Sequence, residues 1–453
     1  MTSLPAKEVH EPATLDRRAL LAVLLAVALA TLDTAIANTA LPAMAADLHA
    51  TPAASIWIIT AYQLGVVACL LPCAALGDLL GPRRVFLAGL VIFILASLLC
   101  ALAPSLALLA AARLLQGVGG AALMSVNIAL IRALYPAHRL GRGVGLNALV
   151  VGVSFAVGPT IASLLLSVAS WPWLFAINLP LGGLALATAL PTLPRRERSR
   201  QRFDALGALY SAACFAGLLF ALGAAAQRQA WALVLVPGAL GLLAGALLLR
   251  RQVGQPAPML PVDLLRRPMF ALSALTSVAS FTCQGLAFVA LPFYFEGVLH
   301  RDPIETGFLM TPWAIVVALA APVAGRLSDR HPPGLLGGIG LAILSVGMLA
   351  LALLPEHPQP ADIVLRMAVC GIGFGFFQSP NLRALMASAP PERSGGASGV
   401  IALARLVGQS SGAALVALCF SLGGAHGPTW ALGLGAGFAA LACVASTARL
   451  WAD

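Results

Sequence analysis

Charge is scarce in this 453-residue chain: only 10% of its residues are Asp, Glu, Lys or Arg, against about 25% in a soluble domain. So little polar surface could not cover a globule in water, which excludes soluble enzymes, nucleic-acid-binding modules and disordered chains. Lysine is nearly missing, with Lys7 the sole example, and aromatic residues reach only 6%. The seven histidines (His10, His49, His138, His300, His331, His357, His426) all fall in tails or between apolar runs. With no paired carboxylates inside those runs either, the convergent groups of a membrane-embedded catalytic centre are lacking. The eight cysteines (Cys69, Cys73, Cys100, Cys214, Cys283, Cys370, Cys419, Cys443) sit inside apolar runs. They have neither the loop positions of a disulfide framework nor the spacing of a zinc site, and read as small packing residues. No Gly-x-x-x-x-Gly-Lys-Ser/Thr loop is present, so there is no sign of an ATP site.

What the chain has in abundance is apolar sequence: 60% of residues and a mean hydropathy of +0.93. Runs of about 20 such residues are the length that crosses a bilayer as helix. Punctuation by Arg, Pro and Gly predicts fourteen spans, at 19–42, 55–76, 85–103, 106–131, 142–167, 171–191, 205–226, 231–250, 269–292, 304–326, 334–354, 362–384, 397–421 and 427–449. The expected fold class is an all-α polytopic membrane protein. Residues 1–18 read as a cytoplasmic tail, 19–194 as an N-terminal six-helix bundle, 195–268 as a basic linker with a two-helix insert, and 269–453 as a C-terminal six-helix bundle.

The basic residues orient this layout. Numbering the spans in order puts 22 of the 27 Lys and Arg residues on one side and only Arg228 and Arg301 on the other, with Arg113, Arg366 and Arg405 inside spans. Such asymmetry is the positive-inside signal, with both termini cytoplasmic, so the formal charge of +10 encodes orientation and implies no nucleic-acid partner. An internal repeat supports the division in two. Leu76-Gly77-Asp78-Leu79 follows span two and Leu327-Ser328-Asp329-Arg330 follows span ten, while spans five and thirteen are both rich in glycine. Repeated helical halves are a mark of secondary transporters.

Several spaced stretches carry a family resemblance over essentially the whole chain. They are Leu32-Asp33-Thr34-Ala35-Ile36-Ala37-Asn38-Thr39-Ala40-Leu41-Pro42, the loop with Asp78, Gly81, Arg83 and Arg84, Arg113-Leu114-Leu115-Gln116-Gly117, Gly158-Pro159, Trp171 to Pro180, and Phe203-Asp204. Together they resemble the fourteen-helix drug:proton antiporter branch of the major facilitator superfamily. The resemblance implies proton-coupled efflux of amphipathic or cationic compounds by alternating access in a bacterial-type inner membrane. It implies a proton gradient as energy source, no cofactor, no metal and a monomer in the lipid bilayer. The chain departs from the pattern at Ala74, Leu79, Ala162 and Ser163, and Glu296 stands where the branch commonly has an amide.

Asp33 is the most informative residue. It lies midway along span one, where an ionised side chain costs about 2.5–3.5 kcal/mol or more unless it pairs, faces a cavity or takes up a proton. Arg113 in span four is its expected counterpart, and the resemblance gives that arginine a part in proton coupling. Asp78, Arg83 and Arg84, with Asp329 and Arg330 in the repeat, correspond to a conformational latch. Gly117, Gly158 and Pro159 are expected to serve close helix packing and, at Pro159, a kink. Trp57, Tyr62, Phe281, Gln284, Phe288, Trp313, Phe374, Phe377, Gln378 and Asn381 are candidates to line a substrate cavity suited to flat amphipathic molecules. Glu296 is a candidate acid at the exit side. Arg405 reads as a helix-packing residue and Arg366 as the i, i+4 partner of Asp362. Two other readings stay open: a dedicated exporter or importer of one metabolite, peptide, lipid or siderophore, and, from another class, a membrane-embedded enzyme or receptor.

Overall fold

The computed structural model describes residues 16–135, 140–194, 204–252, 262–388 and 394–451. Thirteen of its stretches are long and apolar enough to cross a membrane, and the last of them, Gly399–Trp451, contains two helices. The fourteen long helices are α1 (Arg17–Thr39), α2 (Trp57–Leu80), α3 (Pro82–Ala101), α4 (Leu106–Leu134), α5 (Leu140–Val168), α6 (Asn178–Thr192) and α7 (Ala205–Ala226). They continue with α8 (Trp231–Gln252), α9 (Pro268–Phe293), α10 (Pro303–Leu327), α11 (Pro333–Ala352), α12 (Pro360–Ala387), α13 (Ser394–Gly423) and α14 (Gly427–Ala448). No strand occurs among the described residues. The chain is a multi-pass, all-helical membrane protein.

Local chemistry sets the helix ends. Asp16 accepts from the Arg18 and Ala19 amides to start α1, Ser105 caps α4, and Asp302 accepts from the Glu305 amide at 2.7 Å to start α10. Each such side chain satisfies a donor that the first turn leaves open. Pro82, Pro268, Pro303, Pro333 and Pro360 each occupy a first turn, where a missing N–H costs nothing. A single residue, Gly81, joins α2 to α3 at φ 90°, a conformation open to glycine and strained for other side chains. Expected spans and observed helices agree closely. Span one ends earlier than expected because Pro42 opens a separate short helix, Leu41–Asp47. Beyond Pro292, α9 continues as a π-turn, Tyr294–Val298. α5 runs without a break through Pro159.

The helices pack in two sets with the same pairing. In one, α4 lies against α2 and α3, and α1 against α5 and α6, with α3 closing onto α6. In the other, α12 lies against α10 and α11, and α9 against α13 and α14, with α11 closing onto α14. Between the sets, α5 packs on α10 and α2 on α13; α7 packs on both α2 and α13, and α8 on α7. Large apolar side chains on α8 (Leu235 63%, Leu242 65%) remain exposed, as expected of a helix facing lipid. The stretches 195–203 and 253–261, within the expected linker and insert, lie outside the described residues.

Small residues allow the close crossings. A Cβ on Gly117 would strike the Tyr62 carbonyl oxygen across the α2–α4 crossing, and one on Gly158 would strike the Ala35 Cβ of α1. At the α5–α10 seam, a Cβ on Gly307 would meet Ser163 Oγ and the Pro159 carbonyl. There Ser163 Oγ donates to the Pro303 carbonyl at 2.6 Å, and the Thr160 and Thr311 hydroxyls lie 2.6 Å apart. Serine in place of the family's glycine thus supplies a hydrogen bond across the seam as well as a small contour.

Candidate functional site

The polar centre of the first helix set begins with Asp33 on α1. It is 2% exposed, and Arg113 on α4 is fully buried. Arg113 Nη1 donates to Asp33 Oδ2 at 2.5 Å, so the structure brings together the two residues singled out from the sequence. Two further donors complete the carboxylate: Gln116 Nε2 at 2.9 Å and Asn178 Nδ2 at 2.7 Å, both to Oδ1. Gln116 also accepts from Arg113 Nη1 at 2.6 Å and donates to Ser97 Oγ at 2.9 Å. Arg113 Nε donates to the Ile58 carbonyl at 3.2 Å, and its guanidinium lies 4.3 Å from the centroid of the Tyr62 ring. The Phe175 ring centroid lies 5.5 Å away, so the arginine's charge is matched by one carboxylate, two aromatic rings and neutral acceptors, the conditions under which a buried pair is tolerated.

Gln116, Asn178 and Ser97 are the members the sequence reading missed. A signal for Gln116 was present, because Arg113-Leu-Leu-Gln116 places both polar side chains on one helix face. Asn178 is an amide inside an apolar run, a position that demands a partner, but nothing in its spacing names Asp33.

Between the two sets lies a small cavity of about 10 Å³, lined by Thr34, Asn38, Gln63, Phe155, Gln284 and Gln409, with Gly285, Phe288 and Val289. This is room for roughly one water. Gln409 Nε2 donates to Gln284 Oε1 at 3.1 Å, whereas Asn38 Oδ1 and Gln63 Oε1 are buried without a hydrogen-bond partner. Arg405 lies one turn from Gln409 on α13, half-buried, in electrostatic range of Tyr62 and with no ion pair to a described residue.

Of the cavity residues expected from sequence, Gln284 and Phe288 do line this space. The structure sets the others apart from it. Tyr62 covers Arg113. Trp57 packs on Phe220 of α7 at 5.4 Å between ring centroids. Phe281, Phe374 and Phe377 form an aromatic cluster of α9 and α12 with centroids 5.5–6.3 Å apart. Trp313 is buried against Phe288. Gln378 is exposed on α12. Asn381 donates to Ser277 Oγ at 2.7 Å and accepts from Arg449, near the arginine-rich end. The reason is common to all of them: amphipathic reading marks which residues are aromatic or amide, while the azimuth of each helix decides what they face.

At the arginine-rich end, Asp329 is ion-paired with Arg383, which also donates to Ser328 Oγ at 3.2 Å. Arg330 is exposed, and Arg383 is the partner sequence reading missed. In the other repeat, Arg83 Nη2 donates to the Leu190 carbonyl at 2.6 Å, tying α3 to the end of α6. Arg84 reaches the Leu80 carbonyl at 3.4 Å, and Asp78 is exposed in the last turn of α2. Glu296 sits half-buried in the π-turn after α9. Arg366 pairs with Asp362 at 2.9 Å, as the i, i+4 spacing predicts.

A sequence profile of the Major Facilitator Superfamily matches residues 23–413 and, in a second alignment, 274–452. The chain belongs to the Major Facilitator Superfamily. It is 50% identical over 434 residues to the uncharacterized transporter YebQ of Escherichia coli (strain K12), covering 95% of both chains. It is 29% identical over 404 residues to the riboflavin transporter RibZ of Clostridioides difficile (strain 630), covering 89% of this chain and 88% of that one. Identity to the multidrug resistance protein Stp of Mycobacterium tuberculosis (strain CDC 1551 / Oshkosh) is 31% over 394 residues, covering 85% and 72%. Among solved structures, a bacterial homolog of the human lysosomal transporter Spinster, in an inward-facing and unoccupied conformation, superposes with a TM-score of 0.70 at 14% identity, covering 96% of each chain. As a member of the superfamily the protein is a transporter and not an enzyme.

Proposed function

We propose that the protein is a proton-coupled antiporter of the inner membrane that exports amphipathic compounds, with both termini in the cytoplasm and the two helix sets rocking about the central cavity. The observation that carries this reading is the buried Asp33–Arg113 pair. A carboxylate buried between helices and matched by one arginine can exchange that partner for a proton when the helices separate, which makes proton binding depend on conformation. The proton gradient then suffices as energy source. Asp329 and Arg383, with Asp78, Arg83 and Arg84 at the α2–α3 junction, act as contacts at the cytoplasmic end that one conformation keeps and the other releases. The multidrug resistance relative supports export of foreign compounds.

The cavity lining bears on the substrate. Once the helix sets part and widen this space beyond its present room for one water, the amides and hydroxyl of Thr34, Asn38, Gln63, Gln284 and Gln409, between Phe155 and Phe288, suit a flat molecule rich in hydrogen-bonding groups. Asp33 is already neutralised by Arg113, and Arg405 adds a cation one turn from Gln409, so the lining favours uncharged or anionic amphiphiles over cations. The same lining supports a second reading, dedicated transport of one flat heteroaromatic metabolite, in keeping with the riboflavin transporter among the relatives.

One experiment addresses both the coupling and the substrate. Purified protein in weakly buffered solution is mixed with cationic, zwitterionic, anionic and neutral aromatic compounds while proton release is followed. Binding of an exported substrate should release protons from the wild type and none from Asp33→Asn. Substrate binding without any proton release from the wild type would overturn the coupling.

A further inference from the structure

We infer that the arginine-rich ends of α9, α11, α12 and α14 form a binding site for the phosphate group of an anionic phospholipid, centred on Arg449. Arg449 follows α14 and is 1% exposed. Its guanidinium is held by neutral acceptors only: Nε donates to the Ser446 carbonyl at 3.1 Å, and Nη1 donates to Ser273 Oγ at 3.0 Å and Asn381 Oδ1 at 2.8 Å. Nη2 donates to Ser446 Oγ. Among the described residues no carboxylate pairs with it. Arg113 is equally buried but is matched by Asp33, whereas Arg449 has no counter-ion among the described residues. A charge removed from water without one is costly, and an anion beside it removes that cost.

The fold makes room for this arginine. A Cβ on Gly337 would lie 3.1 Å from Arg449 Nη2 and 2.7 Å from Ser446 Oγ. One on Gly334 would lie 3.4 Å from Arg449 Cβ and 2.9 Å from the Ser446 carbonyl. Two glycines on one face of α11 therefore let the side chain lie against that helix. Beside it is a cavity of about 380 Å³, lined by Arg449 together with Met269, Pro332, Gly334, Ala384, Ala387 and Leu450. A volume of that order accommodates a small ligand and not merely a water or a bare ion. The N-terminus of α11 opens onto the same space, and no side chain caps it, so its positive end adds to the field of Arg449.

The surroundings identify the occupant as a lipid. Met269, Ala384, Ala387 and Leu450 give the cavity an apolar wall suited to a glycerol backbone and the first methylenes of an acyl chain. Leu450 is 40% and Trp451 90% exposed beside it, and exposed tryptophan marks the headgroup level of a bilayer. Arg266 and Arg267 just before Met269, and Arg330 and His331 just before Pro332, are all exposed. Basic residues at that depth attract anionic headgroups. A phosphodiester bound to Arg449 would join the ends of four helices in the second set.

The test uses the full-length protein in a nonionic detergent, titrated with dioctanoyl phosphatidylglycerol, dioctanoyl phosphatidylcholine or sodium phosphate while Tm is followed. Phosphatidylglycerol is expected to raise Tm saturably by about 3 °C or more. Two variants, Arg449→Gln and Ala387→Phe, should need at least about tenfold more lipid for the same rise. Ala387 is exposed and takes no part in the bonds of Arg449, so Ala387→Phe fills the cavity while the guanidinium stays anchored, and it remains informative if Arg449→Gln fails to fold. An equal rise with sodium phosphate alone would support the phosphate site and assign it to the free anion. The site is overturned if phosphatidylglycerol leaves Tm unchanged, if phosphatidylcholine matches it, or if Ala387→Phe responds like the wild type.

Discussion

Arg113 and Asp33 meet at 2.5 Å across α4 and α1 with both side chains about 1% exposed, and every further contact to the carboxylate comes from a neutral amide. Removing one partner from such a pair leaves the other charge buried and alone. Asp33→Asn should therefore lower unfolding stability by roughly 3–5 kcal/mol. The double variant Asp33→Asn/Arg113→Gln should fall short of the summed single losses by about 1–3 kcal/mol. Denaturant unfolding of the four proteins in one detergent measures this, and additive losses would show that the pair does not act as a unit.

Asn178 and Gln116 share one oxygen of Asp33, Oδ1. Asn178→Ala should cost about 1–3 kcal/mol, the usual loss when a buried acceptor on a charged group is left short of a donor. Because Gln116 and Asn178 both also reach Ser97 Oγ, the loss in Asn178→Ala/Gln116→Ala should differ from the sum of the single losses by more than about 0.5 kcal/mol. Thermal unfolding of the three variants against wild type reads the coupling.

Two glycines test the packing in opposite senses. Gly117→Ala drives a methyl group into the Tyr62 carbonyl and should destabilise by about 1–3 kcal/mol, the range for overpacked contacts. Gly145 on α5 has open space around its Cβ position, so Gly145→Ala should be neutral or stabilise by up to about 1 kcal/mol through helix propensity. Equal effects of the two substitutions on Tm would refute the crossing geometry assigned to α2 and α4.

These contrasts indicate what sequence can carry. The spans were legible because fourteen apolar runs separated by Pro, Gly and Arg leave little choice of element or length, and Asp33 and Arg113 were legible because isolated charges inside such runs need each other. Orientation about each helix axis was not. Asn381 and Gln284 both look like cavity amides in sequence, yet one bonds to Arg449 and the other to Gln409 across the centre. Neighbouring helices are apolar nearly all round, so periodicity gives no azimuth. Arg449 escaped notice for a related reason: at the end of a span it counts as one more topology-setting base, and it is buried by the convergence of α9, α11 and α12 on the end of α14.

The Asp329–Arg383 pair provides a test of the latch. Its side chains are 67% and 49% exposed, and exposed pairs contribute about 0–1 kcal/mol. Asp329→Asn should consequently leave unfolding stability within about 1 kcal/mol of wild type. A contact made in only one conformation still shifts the balance between conformations, so the transport rate in proteoliposomes should change although Tm does not. A wild-type rate in Asp329→Asn would remove the pair from the transport cycle.

Asn38 Oδ1 and Gln63 Oε1 are buried acceptors without partners, and both residues line the central cavity. An unsatisfied acceptor in such a place is costly until a donor arrives, and a substrate N–H or O–H is the donor the proposed function supplies. Gln63→Ala should then raise KM by about tenfold for substrates that donate hydrogen bonds, the loss of one such bond being worth about 1.4 kcal/mol. For substrates of similar shape that lack a donor, KM should change by less than about twofold, since no bond to Gln63 is lost with them. The comparison is made on one pair of aromatic compounds differing only by methylation of the donor. If both members of the pair lose affinity equally, Gln63 shapes the cavity by volume and the specificity lies elsewhere in its lining.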